Sequence, residues 1–282
     1  MVNYLIKRKL RSALRRLFPD IPQVLVKYKF LGREFAVRDG AIREKPDYDD
    51  AWLYFLGSKV ESVFDIGSNV GQAALLLYAS NKNLKLLCVD PNPAALSIAA
   101  ENLIRNNFIS KTSFECSFVS DHENQEVNFY TIFEGAAGSM WQEHAVSAAK
   151  KNCHFTVNTS TIDKLCDKHG IPNLIKVDVE GAEYLVLNGS RSCLSTGKTF
   201  FIIEMHSNPH LPMVENAKII LDLCVIYGYR VWYLSKKEWI DSPDQVRDRG
   251  RCHFLLVPPG KELFPGIETI SQSDPIFIKD IQ

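Results

Sequence analysis

The run Val63-Phe64-Asp65-Ile66-Gly67-Ser68-Asn69-Val70-Gly71 passes from an apolar strand into a glycine turn, and then into the apolar helical stretch Ala73 to Ala79. Strand, glycine turn and helix in that order open a parallel α/β unit, whose ligands bind beyond the carboxyl ends of the strands. Gly67 and Gly71 let the backbone turn sharply and come close to a ligand. Glycine turns between strand and helix are common, so the G-x-x-x-G spacing needs support from the surrounding chain.

That support lies on both sides of the turn. Strand-like runs at Ser62–Ile66, Leu84–Val89, Thr112–Phe118, Leu174–Val177, Phe200–Met205, Arg230–Leu234 and His253–Val257 are mostly separated by helical stretches near Val70–Ser80, Pro93–Asn106, Ala182–Asn188 and Val214–Tyr227. Such alternation predicts a largely parallel sheet covered on both faces. Pro93 after Asn92 suits a first helical position, and Gly189 suits a helix end. Toward the N-terminus, Val24–Phe30 and Phe35–Val37 read as a hairpin around Gly32, followed by a helix from about Tyr48 to Leu56. An extra strand is expected at Val127–Ile132. The segment from Gly135 to about Cys153 has no clear period and reads as a lid or binding loop, in which Trp141 and His144 are candidate acceptor contacts.

The chain has 282 residues, 46% hydrophobic and 23% charged, with 33 basic against 33 acidic residues. This excludes disorder and collagen-like repeats and gives no net charge for wrapping nucleic acid. The seven cysteines are scattered with no C-x-x-C pair, so a disulfide framework or zinc knuckle is not expected and a cytoplasmic location is the simplest reading. No apolar run reaches membrane-spanning length. Charge is locally uneven: residues 1–18 carry Lys7, Arg8, Lys9, Arg11, Arg15 and Arg16 without an acid, while Ile6, Leu10, Ala13, Leu14 and Leu17 recur at helical spacing. This amphipathic helix suits packing on the body or a second subunit, or peripheral contact with an anionic membrane. The expected division is an N-terminal basic helix and hairpin extension over 1–47, then a domain over 48–282 with an inserted loop near 133–153.

Asp90 ends the second strand of the alternation, nineteen residues beyond Gly71, where an acid can accept hydrogen bonds from both hydroxyls of an adenosine ribose. A dinucleotide site would share that acid but normally has G-x-G-x-x-G for its pyrophosphate. Here Asn69 replaces the middle glycine, and Asp65 brings negative charge to the place of an anion. A zwitterionic sulfonium compound, S-adenosylmethionine, fits better, with its ammonium group held by Asp65 directly or through water. Capping by Asp65 and turn formation by Asp90 are the plain structural alternatives for each acid taken singly.

The runs Phe64 to Gly71, Val89-Asp90-Pro91-Asn92-Pro93, Thr161-Ile162-Asp163, Lys176-Val177-Asp178-Val179-Glu180-Gly181-Ala182-Glu183 and Ile203-Glu204-Met205-His206 together resemble the FkbM family of S-adenosylmethionine-dependent methyltransferases. The likeness covers about residues 60–206. It implies a class I methyltransferase fold: a Rossmann-like, doubly wound α/β sheet of seven strands, the last antiparallel. It also implies transfer of a methyl group to an oxygen of a saccharide, glycolipid or natural product. On that mapping Asp65, Gly67, Ser68, Asn69 and Gly71 lie along the methionine end, Asp90 and Pro91 hold the ribose, and Ser117, Phe118 and Val119 flank the adenine. The family often has Glu at the position of Asp90.

Methyl transfer to an alcohol needs alignment of nucleophile and methyl group, and a base. Asp178 and Glu180 at the fourth strand tip, with Glu204 and His206 at the fifth, form the expected polar cluster. Asp178 also borders the cofactor, and His206 is the candidate base, oriented by Glu204 or Asp178. Lys176 can keep one of these carboxylates ionised, either as a catalytic group or as a structural ion-pair partner. Glu183 reads as a first-turn acid favoured by the helix dipole. Thr161-Ile162-Asp163 reads as a helix start capped by Thr159 or Ser160. A divalent metal is compatible with these oxygens but not required by any ligand spacing. A nicotinamide-dependent oxidoreductase and a non-catalytic nucleotide-binding protein are the competing functions. The expected partner is a small-molecule or saccharide acceptor rather than nucleic acid, and a homo-oligomer remains open.

Overall fold

The computed structural model describes residues 25–30, 33–39, 49–131, 138–141, 145–207 and 211–272. The basic segment 1–18 and His144 lie outside them. In chain order the strands are β1 (Leu25–Phe30), β2 (Arg33–Arg38), β3 (Ser62–Ile66), β4 (Lys85–Val89), β5 (Thr112–Glu115), β6 (Phe118–Val119), β7 (Glu126–Tyr130), β8 (His154–Ser160), β9 (Leu174–Val177), β10 (Phe200–His206), β11 (Arg230–Tyr233), β12 (Glu238–Ile240) and β13 (Arg251–Val257). The α-helices are α1 (Asp50–Gly57), α2 (Gln72–Ser80), α3 (Pro93–Arg105), α4 (Val146–Lys150), α5 (Ile162–His169), α6 (Glu183–Asn188), α7 (Arg191–Ser195) and α8 (Met213–Tyr227).

The main sheet has the order β12-β11-β13-β10-β9-β3-β4-β5. Strands β5, β4, β3, β9 and β10 run parallel, and β13 is antiparallel to both β10 and β11. This is the expected class I methyltransferase architecture with one correction: the main sheet holds eight strands rather than seven. The extra strand, β12, is only three residues long and is too short to leave a periodic signal. Central strands β9 and β10 are buried along their whole length. They can be continuously apolar because one hydrophobic cluster, with Trp52, Leu75 and Leu103, covers one face and another, with Ile162, Val186 and Ile220, covers the other.

Local chemistry sets the helix boundaries. Asn92 caps α3, its side-chain oxygen accepting from the Ala94 N–H at 3.0 Å, and Pro93 follows at the first helical position. Helix α5 is capped by Thr161 itself, which accepts from the Lys164 N–H at 3.1 Å, not by Thr159 or Ser160. Those two residues are committed to β8. Asp163 instead accepts from the N–H groups of Ser192 and Cys193, both at 2.8 Å, and so fixes the start of α7. The hairpin β1–β2 docks on α3 through Asn106, which exchanges two hydrogen bonds with the Ala36 backbone, and Asn102, which accepts from the Arg38 N–H.

Two further departures concern the region between β5 and β9. The run expected as one strand over 112–118 breaks at Cys116 and Ser117. Its first part, β5, joins the main sheet, and its second, β6, joins a small sheet of order β6-β8-β7. Strand β8 falls within a region read as irregular up to Cys153 and unassigned beyond it, and pairs antiparallel with β7. Among the described residues no helix is long and apolar enough to cross a membrane.

The chain leaves β3 toward β4 and β5 and then returns to place β9 on the other side of β3. At this reversal the carboxyl ends of β3 and β9 are locked together. The Asp178 N–H donates to the Ile66 carbonyl at 3.1 Å, and a Cβ on Gly67 would lie 1.9 Å from the Asp178 carbonyl oxygen. Gly67 also has φ +82°, and a Cβ on Gly71 would press on Ala99 of α3. Both glycines are thus required by close approach of protein backbone and helix, beyond any approach of a ligand.

Gly67→Ala should destabilise the protein by about 2–5 kcal/mol, combining left-handed strain with overpacking. Gly250→Ala, where an added Cβ meets nothing within 4 Å, should change stability by less than about 0.5 kcal/mol. Equal urea midpoints for the two variants would contradict this account of the tip.

Candidate active site

A cavity opens over the β3–β9 reversal. Its floor is the glycine turn Ile66 to Val70, and one side is formed by Val89 to Asn92 with Ser117, Phe118 and Val119. The other side carries Lys176, Asp178, Val179 and Glu180. Helix α1 and its preceding residue close it with Asp49, Asp50 and Leu53, while Phe129 and Gly138 come from the inserted region.

Asp90 is nearly buried on this wall. One carboxylate oxygen accepts from the Asn69 N–H and the other from the Asn92 N–H, both at 2.8 Å. Asn69 adopts φ +46°, which turns its N–H toward Asp90. Each carboxylate oxygen retains a second lone pair, so the side chain can still accept from a ligand. Burial pushes the Asp90 carboxyl up to about 6, against the opposing effect of the two backbone donors. Around it Ser68 Oγ, Asn69 Oδ1 and Ser117 Oγ are buried without a hydrogen-bond partner among the described residues. Three such polar atoms on the cavity wall suit a ligand rich in hydroxyl and amine groups.

The acids outnumber the bases on the cavity wall. Among the described residues, Asp49, Asp50, Asp90, Asp178 and Glu180 share the wall with one lysine, Lys176. Lys176 is itself buried, with Nζ 3.2 Å from Asp178 and 3.5 Å from Asp65. Burial opposes its charge, but the carboxylates of Asp178, Asp65, Asp49 and Glu204 outweigh burial and keep it protonated. Asp65, expected at the ligand, is fully buried against Lys176 and does not line the cavity. Its strand position explains this: Asp65 lies beside Lys176 in register, with both side chains inside the tip.

The residues of the fifth strand tip lie behind this wall. Glu204 binds Arg251 at 2.7 Å and lies 3.4 Å from both His206 and His253. His206 Nδ1 meets Glu183 at 3.0 Å, and its Nε2 lies 3.7 Å from Glu180. Burial would discharge His206, but Glu183 and Glu204 outweigh it and raise its pKa to about 11. Two carboxylates in contact with it favour the imidazolium, which makes His206 a weak proton acceptor at neutral pH. Glu183 does more than complement a helix dipole: fully buried, it also accepts from the Gly181 N–H and the Asn216 amide.

Oxygen and nitrogen atoms of Asp178, Glu204 and His206 lie within 4.8 Å of one another, as do those of Asp49, Glu204 and His253. Protein cations already engage these groups, through Lys176 on Asp178 and Arg251 on Glu204. Of the residues expected from sequence, Gly67, Ser68, Asn69, Asp90, Pro91, Ser117, Phe118, Lys176, Asp178 and Glu180 meet on the cavity, while Asp65, Gly71, Glu204 and His206 support it from outside. Trp141 does not line it. Asp49 and Asp50 were missed. Two acids ahead of an apolar helix read as an ordinary helix start, and only packing of α1 on α2 brings them to the strand tips.

Asp90, Asp49 and His206 make the protein less stable as pH rises. The folded-state pKa values of Asp90 and Asp49, about 6 and about 7, lie above the usual carboxylate range. Their favourable contribution is full below about 4 and is lost as pH climbs through those values. The contribution of His206 begins to fall above its ordinary value near 6.5. Calorimetry should therefore show a lower Tm at pH 8 than at pH 5.5, with a smaller difference in Asp90→Asn; a higher Tm at pH 8 would contradict the assignment.

The pattern that defines the methyltransferase FkbM domain matches residues 65–231. The hexuronic acid methyltransferase AglP of Haloferax volcanii is 27% identical over 147 residues, which cover 51% of this chain and 56% of that protein. Methyltransferase 1 of Beauveria bassiana is 26% identical over 144 residues, 45% of this chain and 57% of that protein. The chain thus spans about half the length of the curated relatives it matches. A crystal structure of the methyltransferase FkbM from Methylobacillus flagellatus aligns with 75% of this chain and 48% of its own, at 17% identity and a TM-score of 0.48. The matched pattern runs from Asp65 at the glycine turn to Val231 in β11, more than half of the sequence, and the chain belongs to the FkbM methyltransferase family.

Proposed function

We propose that the protein transfers a methyl group from S-adenosylmethionine to a hydroxyl group of a saccharide, glycolipid or related natural product. The observation that carries this is the Asp90 carboxylate, fixed by two backbone donors beside three unpartnered polar atoms, in a cavity whose wall is predominantly acidic. Such a wall attracts a cation and repels a pyrophosphate, which disfavours a nicotinamide dinucleotide. Family membership supports methyl transfer, and the hexuronic acid named for one relative supports a sugar acceptor.

Asp90 would hold the ribose hydroxyls, Phe118 and Val119 would flank the adenine, and the turn from Gly67 to Asn69 would run beneath the methionine portion. When bound, S-adenosylmethionine supplies a methyl carbon already activated by its sulfonium. The protein then has to exclude water, align the acceptor oxygen and take up its proton. Lys176 pairs with Asp178 at 3.2 Å. Glu180 lines the cavity with its side chain one-third exposed and its backbone at φ +51°, an uncommon conformation for a non-glycine residue. It is the carboxylate best placed to accept the proton of an acceptor hydroxyl, with His206 Nε2 3.7 Å away. Asp178 and Glu180 thus act at the cavity, while Glu204, His206 and Glu183 fix their surroundings.

In calorimetric titrations, Asp90→Ala should weaken S-adenosylhomocysteine binding by about tenfold or more, since ribose contacts are lost and two backbone donors lose their partner. Unchanged affinity would remove the basis for the cofactor assignment. With a methyl-accepting glycan in hand, Glu180→Gln should lower kcat about a hundredfold while leaving cofactor affinity within about twofold. An unaltered kcat would exclude Glu180 as the proton acceptor.

A further inference from the structure

Asp49 immediately precedes α1, at the position where an aspartate ordinarily caps a helix through its side chain. It makes no such bond. Its backbone carbonyl accepts from the Leu53 N–H at 2.9 Å, while the carboxylate is not used as a cap. The side chain is only 7% exposed and lines the cavity. Its place is fixed by the buried side chains of Trp52, Leu53 and Leu56, which anchor α1 on the core. A desolvated carboxylate in this position either holds its proton or gains from a cation brought into the cavity.

The protein provides only part of one. Lys176 attracts Asp49, but its ammonium lies 3.2 Å from Asp178 and 3.5 Å from Asp65. The other charges facing Asp49, from Glu204, Asp50 and Asp178, repel it, and its carboxyl is pushed up to about 7, mainly by burial. Position along the sheet is equally informative. Asp90 and Ser117 stand beyond β4 and β5, on one side of β3. Asp49 clusters with Glu204 of β10 and His253 of β13, on the other side. A ligand with its adenosine at Asp90 extends its remaining atoms across the β3 tip toward Asp49.

We propose that Asp49 receives the α-ammonium group of the methionine portion of S-adenosylmethionine, a role the sequence alone suggested for Asp65. This rests on the cofactor assignment above. It gives α1, which lies outside the segment matched by the family pattern, a direct part in selecting the ligand.

The test is calorimetry of wild type and Asp49→Asn with three ligands: S-adenosylhomocysteine, its analogue lacking the α-amino group, and methylthioadenosine, which has no amino-acid portion. Asp49→Asn should weaken S-adenosylhomocysteine about tenfold or more while leaving the other two within about twofold. Equal affinity of wild type and Asp49→Asn for S-adenosylhomocysteine overturns the proposal. If the variant does not fold, wild type decides: equal affinity for S-adenosylhomocysteine and its deaminated analogue overturns the proposal, and a tenfold preference for the former supports it. Failure of wild type to bind any adenosyl ligand would instead overturn the cofactor assignment.

Discussion

A buried ammonium group organises the carboxyl end of the sheet. Lys176 of β9 lies opposite Asp65 of β3, one register pair from the end of their pairing, within ion-pair distance of Asp65 and Asp178, and Asp49 and Glu204 also feel its charge. Removing one partner from such a cluster leaves an uncompensated buried charge, typically costing about 3–5 kcal/mol. The cluster therefore constrains every backbone segment that contributes to it. Gly67 accommodates the Asp178 carbonyl, Glu180 takes up a left-handed conformation directly afterwards, and the cavity opens where β3 and β9 diverge toward their helices.

A division of labour follows between inner and outer charges. The inner layer, Asp65, Glu183, Glu204 and His206, is neutralised within the protein by Lys176, Arg251 and mutual pairing. The outer layer, Asp49, Asp50, Asp90, Asp178 and Glu180, lines the cavity, where acids outnumber bases among the described residues. An imbalance of this sign favours a ligand that is polar and positively charged, which is the chemistry of an adenosyl sulfonium with a free ammonium group.

Much of this could be read from the chain because its signals are local. Val63 to Gly71 announces strand, turn and helix, Asp90 follows at the spacing of a ribose acid, and Lys176-Val177-Asp178-Val179-Glu180 alternates apolar and charged residues at a strand tip. Three things were not legible, each for a physical reason. Strand β8, with the sequence HFTVNTS, is a polar strand that β7 pairing stabilises more than its own hydrophobicity does. Asp49 acquires its meaning only when α1 packs against α2. The roles of Asp65 and His206 depend on which neighbour reaches them first: Lys176 meets Asp65 inside the tip, and Glu183, from the following helix, meets His206.

The central claim is that the acids and glycines of the β3, β4 and β9 tips form one adenosyl-shaped cavity. A crystal structure of the protein grown with S-adenosylhomocysteine tests it most directly. The ribose is expected against the Asp90 carboxylate, the adenine against Phe118 and the homocysteine over the Gly67 turn. Density for the ligand elsewhere on the protein, or an empty cavity at saturating ligand, would contradict it.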